Sequence, residues 1–164
     1  MIHALFAPML LTAPTDRPRS TSEVGFQIQR AIGAVSDHVR SSVTYGEPWN
    51  AALAQLAEIW KETSLPNWDG YGAPALTPDV FHCAVQFVQT IPFDVPQPEI
   101  GASSAGDITF EWAQTPRRIV SVGISPNGEL HYASLNGVRR NFGSFPLDGT
   151  FDPHLRALIA SVLG

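Results

Sequence analysis

Apolar and polar residues alternate strictly along parts of the second half of the chain. Ile108, Phe110 and Trp112 share one side of a short run, with Asp107, Thr109 and Glu111 on the other. A period of two is the signature of a half-buried strand. Val120, Val122 and Ile124 repeat the pattern against Ser121 and Gly123. Ser125-Pro126-Asn127-Gly128 predicts a type I turn closed by a left-handed glycine, and Asn136-Gly137 predicts a two-residue hairpin turn. A third strand then offers Leu130 and Tyr132 to the core. The fourth, over 138–145, alternates poorly, which predicts a bulge at Gly143.

Elsewhere the apolar spacing is three and four. Val24, Ile28, Ile32, Val35 and Val39 form one stripe over 22–42, a first helix weakened by Gly25 and Gly33. A second helix starts at Pro48 and runs to about Thr63, burying Trp49, Leu53, Leu56, Ile59 and Trp60. The two are expected to pack as an antiparallel pair. Thr77-Pro78-Asp79 marks a third start, with Phe81, Ala84, Val85, Val88 and Ile91 as its apolar face. Pro92 ends it, and the proline-rich 92–98 run reads as an extended linker. Asp152-Pro153 opens a last helix with Leu155, Leu158, Ile159, Val162 and Leu163 inward. The predicted fold is α+β: a four-stranded antiparallel β-meander packed against N-terminal helices and a C-terminal helix.

Length and composition agree with one domain. The 164 residues can bury a real core, and 44% apolar with 15% charged residues describes a globular chain. Residues 1–22 read as a flexible N-terminal arm, with 23–164 as the single domain. The apolar stretch 2–11 is too short to span a bilayer and lacks a signal peptide's positive start, so a cytoplasmic location is expected without membrane contact. Cys83 is the only cysteine, which fits a reducing compartment. A net charge of −5 argues against general nucleic-acid binding.

Two features point to binding. In Asn67-Trp68-Asp69-Gly70-Tyr71-Gly72-Ala73-Pro74, two glycines and a proline demand a compact loop carrying two large aromatics. Trp68 and Tyr71 suit a contact surface, since rigid aromatics supply area at low entropic cost. The structural alternative has Trp68 plugging the core and Asp69 capping backbone amides. The second feature is arginine: nine accompany a single lysine, Lys61. Arg117 and Arg118 open the second strand, and Arg139 and Arg140 the fourth. The turns place Arg118 opposite about Asn136 and Arg139 opposite Ser134, so both pairs share one end of the meander, ~10 Å apart. Alternation puts Arg117 and Arg140 on the outer face, near Glu111. Guanidinium groups there would grip carboxylates or phosphates bidentately. A solvated sheet end that discourages edge pairing is the plainer reading.

The loop, Pro98-Glu99-Ile100 before Gly101, and Gly106-Asp107-Ile108 running to Glu111-Trp112 resemble a group of small bacterial proteins. The resemblance covers about residues 55–160 and implies a shared fold and a bacterial or phage origin. Catalytic signals are weaker. Ser121 and His131 share the outer face but fall diagonally, roughly 7–8 Å apart, where Glu111 cannot orient the histidine. The five histidines are scattered without metal-ligand spacing, and no phosphate-binding glycine loop follows a strand. Neither metal nor cofactor is expected, and no catalytic residue is assigned. The sequence thus points to a non-enzymatic accessory protein acting on a protein partner, with self-association left open. A counter-defence (anti-CRISPR-like) inhibitor or an antitoxin-like neutraliser is the specific form. The alternative is a small hydrolase using the 68–71 loop and the outer sheet face.

Overall fold

The computed structural model describes residues 49–125 and 127–164. The predicted arm, the first helix and its pairing with the second lie outside them. Helix α1, Asn50–Thr63, is built from strong helix formers and buries Ala52, Leu53, Leu56, Trp60 and Thr63. Helix α2, Pro78–Thr90, begins as its sequence demands: the Thr77 hydroxyl accepts from the Val80 amide at 3.4 Å. It stops at Ile91, which turns extended ahead of Pro92. Its buried face includes Val80 and Phe87, with Val85 only half-buried. Helix α3, Pro153–Leu163, is capped by the Asp152 carboxylate, which accepts from the Leu155 amide at 2.9 Å.

Among the described residues the sheet has five strands, where the sequence predicts four. β1 (Glu99–Ala102), β2 (Ile108–Thr115), β3 (Arg118–Ile124), β4 (Leu130–Asn136) and β5 (Arg139–Phe145) form an antiparallel meander in chain order. The added strand, β1, is four residues long and contains Gly101, too short to show a period. The 92–98 connection ahead of it is packed, with Val95 buried and the Pro96 carbonyl accepting from Trp112 Nε1 at 2.7 Å.

All three described helices lie against one sheet face. Ile108, Phe110, Trp112, Val120, Val122, Ile124 and Leu130 point into that layer and are buried. Phe87 of α2 packs edge-on against Phe110 at 4.9 Å between ring centres. α1 lies along β1, α2 meets β2 and β3, and α3 crosses β2, β3 and β4. β5 meets the helical layer at its last residue, Phe145, 6.5 Å from the Phe87 ring.

Two turn details differ from expectation. Asn136 pairs with Arg139, so the two turn residues are Gly137 and Val138, one position later than predicted. Gly137 takes φ +66°, the first-position glycine of a II′ hairpin. β5 carries no bulge; Gly143 pairs regularly with Tyr132. A Cβ there would come within 2.9 Å of the Tyr132 ring, so the glycine makes room for a tyrosine laid across it. The irregularity falls instead between Ala113 and Thr115 of β2.

Candidate binding surface

The second face of the sheet meets none of the described helices. Its residues run in rows across the strands: Gly101–Thr109–Gly123–His131–Ser144, then Glu99–Glu111–Ser121–Ala133–Phe142, then Ala113–Ile119–Leu135–Arg140. None of these residues is buried. The rows grow apolar toward β5, where Ile119, Ala133, Leu135 and Phe142 line a shallow depression beside Arg140. Phe142 is 83% exposed and Val138, at the hairpin tip, 92%.

The arginines gather at one end of the sheet. Arg118 pairs with Asn136, and Asn136 with Arg139, so the two arginines flank one residue across three strands. Arg139 is thus opposite Asn136, not Ser134, because the hairpin turn lies one residue later. Arg117 sits in the β2–β3 turn, whose carbonyl accepts from the Gly137 amide at 2.8 Å and holds the two turns side by side. Arg140 faces the uncovered side. It is not near Glu111, which lies one row along and three strands away, about 16 Å at ~4.8 Å per strand and ~3.4 Å per residue.

The four do not behave alike. Arg118 is committed to the fold: Nη1 donates to Gln114 Oε1 at 2.6 Å and Nη2 to the Ser161 carbonyl at 3.1 Å. Gln114 Nε2 reaches the Leu163 carbonyl at 3.2 Å, and Asn136 Nδ2 the Ser161 carbonyl at 2.9 Å. Helix carbonyls at a C-terminus lack intrahelical partners and attract cations. The bulge at Gln114 therefore turns one end of the sheet into a clasp for α3. Arg117, Arg139 and Arg140 are exposed and form no ion pair among the described residues, whereas Lys61 pairs with Glu58 and Arg156 with Asp94.

The 67–74 loop is a self-contained knot between α1 and α2. Asn67, at φ +62°, donates its amide to the Ala73 carbonyl and accepts from the Gly72 amide on Oδ1. Asp69 Oδ1 accepts from the amides of Tyr71 at 2.8 Å and Ala73 at 3.0 Å. Those bonds, Ala73's foremost, hold the carboxyl below its usual range. Trp68 does not plug the core; it is half-buried, with Nε1 donating to the Pro74 carbonyl at 3.0 Å. Tyr71 projects from the knot, 95% exposed. No hydrogen bond or ring contact among the described residues joins this loop to the arginine end.

Ser121 sits diagonally from His131, whose own neighbours across the sheet are Gly123 and Ser144, and no hydrogen bond links the two. His131 Nε2 lies 3.5 Å from Glu129, both half exposed. Cys83 is half-buried against Gly128; burial first, then the Asp79 charge, pushes its thiol up and away from the nucleophilic thiolate. Among the described residues, no three His, Cys, Asp or Glu side chains assemble into a metal site, and no helix is long and apolar enough to cross a membrane. The apolar contribution of Val138, Ile119, Leu135 and Phe142 escapes a reading of the sequence alone. The outward residues of β3 and β4 become a patch only once the register is fixed. No protein-family model, curated protein or solved structure matches the chain.

Proposed function

We propose that the protein is a non-enzymatic accessory protein of a bacterial or phage system that binds an acidic protein partner at the arginine end of its sheet. One observation carries this reading: among the described residues Arg117, Arg139 and Arg140 meet no counter-charge, and they stand beside exposed Val138 on a chain with net charge −5. Concentrating unpaired positive charge there serves steering and carboxylate recognition, since complementary fields speed association and fix register. A nucleic acid is negative along its whole backbone and would meet the acidic remainder of the surface, whereas an acidic patch on a protein can engage the arginine end alone, which favours protein as the partner. Tyr71 and Trp68, on a loop braced by Asp69, form a separate aromatic contact. Arg118 supports the surface from within by clasping α3. The specific form we favour is a cytoplasmic neutraliser, either a counter-defence inhibitor or an antitoxin-like protein.

The test is capture from the host by the wild-type chain beside two variants. Arg117→Glu combined with Arg140→Glu should lose the captured protein while keeping the thermal midpoint, because both side chains are exposed and make no ion pair among the described residues. Tyr71→Ala, with the same folding control, reports on the aromatic loop. Capture unaffected by the arginine reversal would overturn the assignment of this surface.

A further inference from the structure

We infer that β5 is a strand-addition edge and that its occupant is a second copy of this chain, joined antiparallel about a two-fold axis at Phe142. This goes beyond the partner reading and does not depend on it. Of the sheet's two edges, β1 is flanked by α1, whereas β5 is bordered by no described element along most of its length. Natural edges are usually blunted by proline, lysine, a bulge or a cover. β5 has seven residues in unbroken register, with no proline, no lysine, and charge confined to Arg139 and Arg140 at its start.

The hydrogen-bonding phase of this edge follows from the turn. In a two-residue hairpin the flanking residues, here Asn136 and Arg139, form a hydrogen-bonded pair, and bonded pairs then alternate along the ladder. Arg139, Asn141, Gly143 and Phe145 therefore bond inward to β4. Arg140, Phe142 and Ser144 direct their N–H and C=O groups outward, where no described backbone group meets them.

Those three positions are symmetric about Phe142. Setting Phe142 opposite Phe142 of the second copy places Arg140 opposite its Ser144, and Ser144 opposite its Arg140. Each is then a hydrogen-bonded pair, giving about six backbone bonds across the junction. The side chains agree with this register. The two exposed Phe142 rings meet on the uncovered face, and no arginine faces another; aromatic cross-strand pairs are favourable and like charges directly opposite are not. Charge fits along the strand as well. β5 starts at the positive tip of Arg117, Arg139 and Arg140 and ends beside Glu129 and Asp148, so antiparallel pairing lays one copy's basic end on the other's acidic end. Beyond the second copy's Ser144 lies its His131, held near Glu129. Arg140 thus sits about 10 Å from that strand's backbone, within bridging range of the Glu129 carboxylate. The result is a continuous ten-stranded sheet with an arginine tip at each end of the junction and both Arg140 side chains on its uncovered face.

Light scattering on the eluting full-length chain over a dilution series, with amide exchange followed residue by residue, tests this. The expected wild-type mass is twice 17.8 kDa, with the Arg140, Phe142 and Ser144 amides protected in step with dimer population. Phe142→Lys puts two ammonium groups face to face, and Ser144→Pro removes an outward donor at an edge, where proline is tolerated. Both should give monomers whose three amides exchange freely. A wild-type monomer at every concentration overturns the inference, as does a dimer that survives both variants. Protection of those amides in a monomer would also overturn it, since residues 1–48 would then occupy the edge. Arg117→Glu leaves β5 untouched, so loss of partner capture in that variant with the dimer intact separates the two proposals.

Discussion

Arg118→Ala should destabilise the fold by about 2 kcal/mol, although its three neighbouring arginines can be replaced almost without cost. The substitution removes the bonds from Nη2 to the Ser161 carbonyl and from Nη1 to Gln114. Partly exposed bonds from a charged donor are worth about 1–1.5 kcal/mol each. Withdrawing a cation from the α3 C-terminus costs about 0.5 kcal/mol more. Against this stands Nε, buried and without a partner; removing it returns about 1 kcal/mol. For a chain of this length, roughly 2–4 °C of thermal midpoint follows each kcal/mol, so a drop of about 4–8 °C is expected. Urea and thermal unfolding of Arg118→Ala, Arg118→Lys and Arg140→Ala measure it. Lysine should recover part of the loss, because one ammonium can reach a single carbonyl acceptor. Arg140→Ala should stay within about 0.5 kcal/mol of wild type, as exposed substitutions do. An Arg118→Ala variant as stable as Arg140→Ala would refute the clasp.

The remaining predictions concern a strand and a loop. Gly143→Ala alone should destabilise by about 1–2 kcal/mol, because its methyl meets the Tyr132 ring, itself seated between Phe145 and His154. Placed in a Tyr132→Ala background, the same change should turn neutral or stabilising by about 0.5 kcal/mol, and additive effects in chemical denaturation would refute the close approach. The Asp69 carboxyl, held low by the Ala73 and Tyr71 amides, binds its proton less readily when folded than when unfolded. Its contribution is therefore present above the ordinary carboxyl value and lost as pH falls through the lowered folded one. Carbon-detected titration should show Asp69 protonating below the ordinary aspartate range, with the Tyr71 and Ala73 amide shifts following. An ordinary midpoint for Asp69 would contradict the bracing of the loop.

What the sequence disclosed, and what it hid, follows from the range of the forces involved. Helix starts are local chemistry: Thr77-Pro78 and Asp152-Pro153 announce α2 and α3, and the caps form as written. β2 and β3 are legible because one face is buried and the other is not, which imprints a period of two. β1 leaves no imprint, since its four residues are held by α1 and β2 rather than by their own pattern. β5 alternates poorly because neither of its faces is covered along most of its length, so nothing enforces inward apolar residues. Gly143 reads as a bulge in sequence because nothing local shows the Tyr132 ring opposite it. The arginine end was foreseeable from turn positions, but a one-residue difference at Gly137 moved Arg139 from Ser134 to Asn136. The division of labour between Arg118 and the others was not, because α3 lies more than forty residues away in sequence.

The central claim is that exposed arginines at the end of the sheet contact an acidic protein. It is tested most directly by the salt dependence of the dissociation constant for the captured partner, measured on wild type and on Arg117→Glu with Arg140→Glu. Exposed charge pairs are screened beyond about 8 Å at physiological ionic strength, so wild-type affinity should fall steeply as salt rises. The reversed variant should bind weakly and respond to salt little or in the opposite sense. Equal affinities and equal salt slopes in the two proteins would contradict the account.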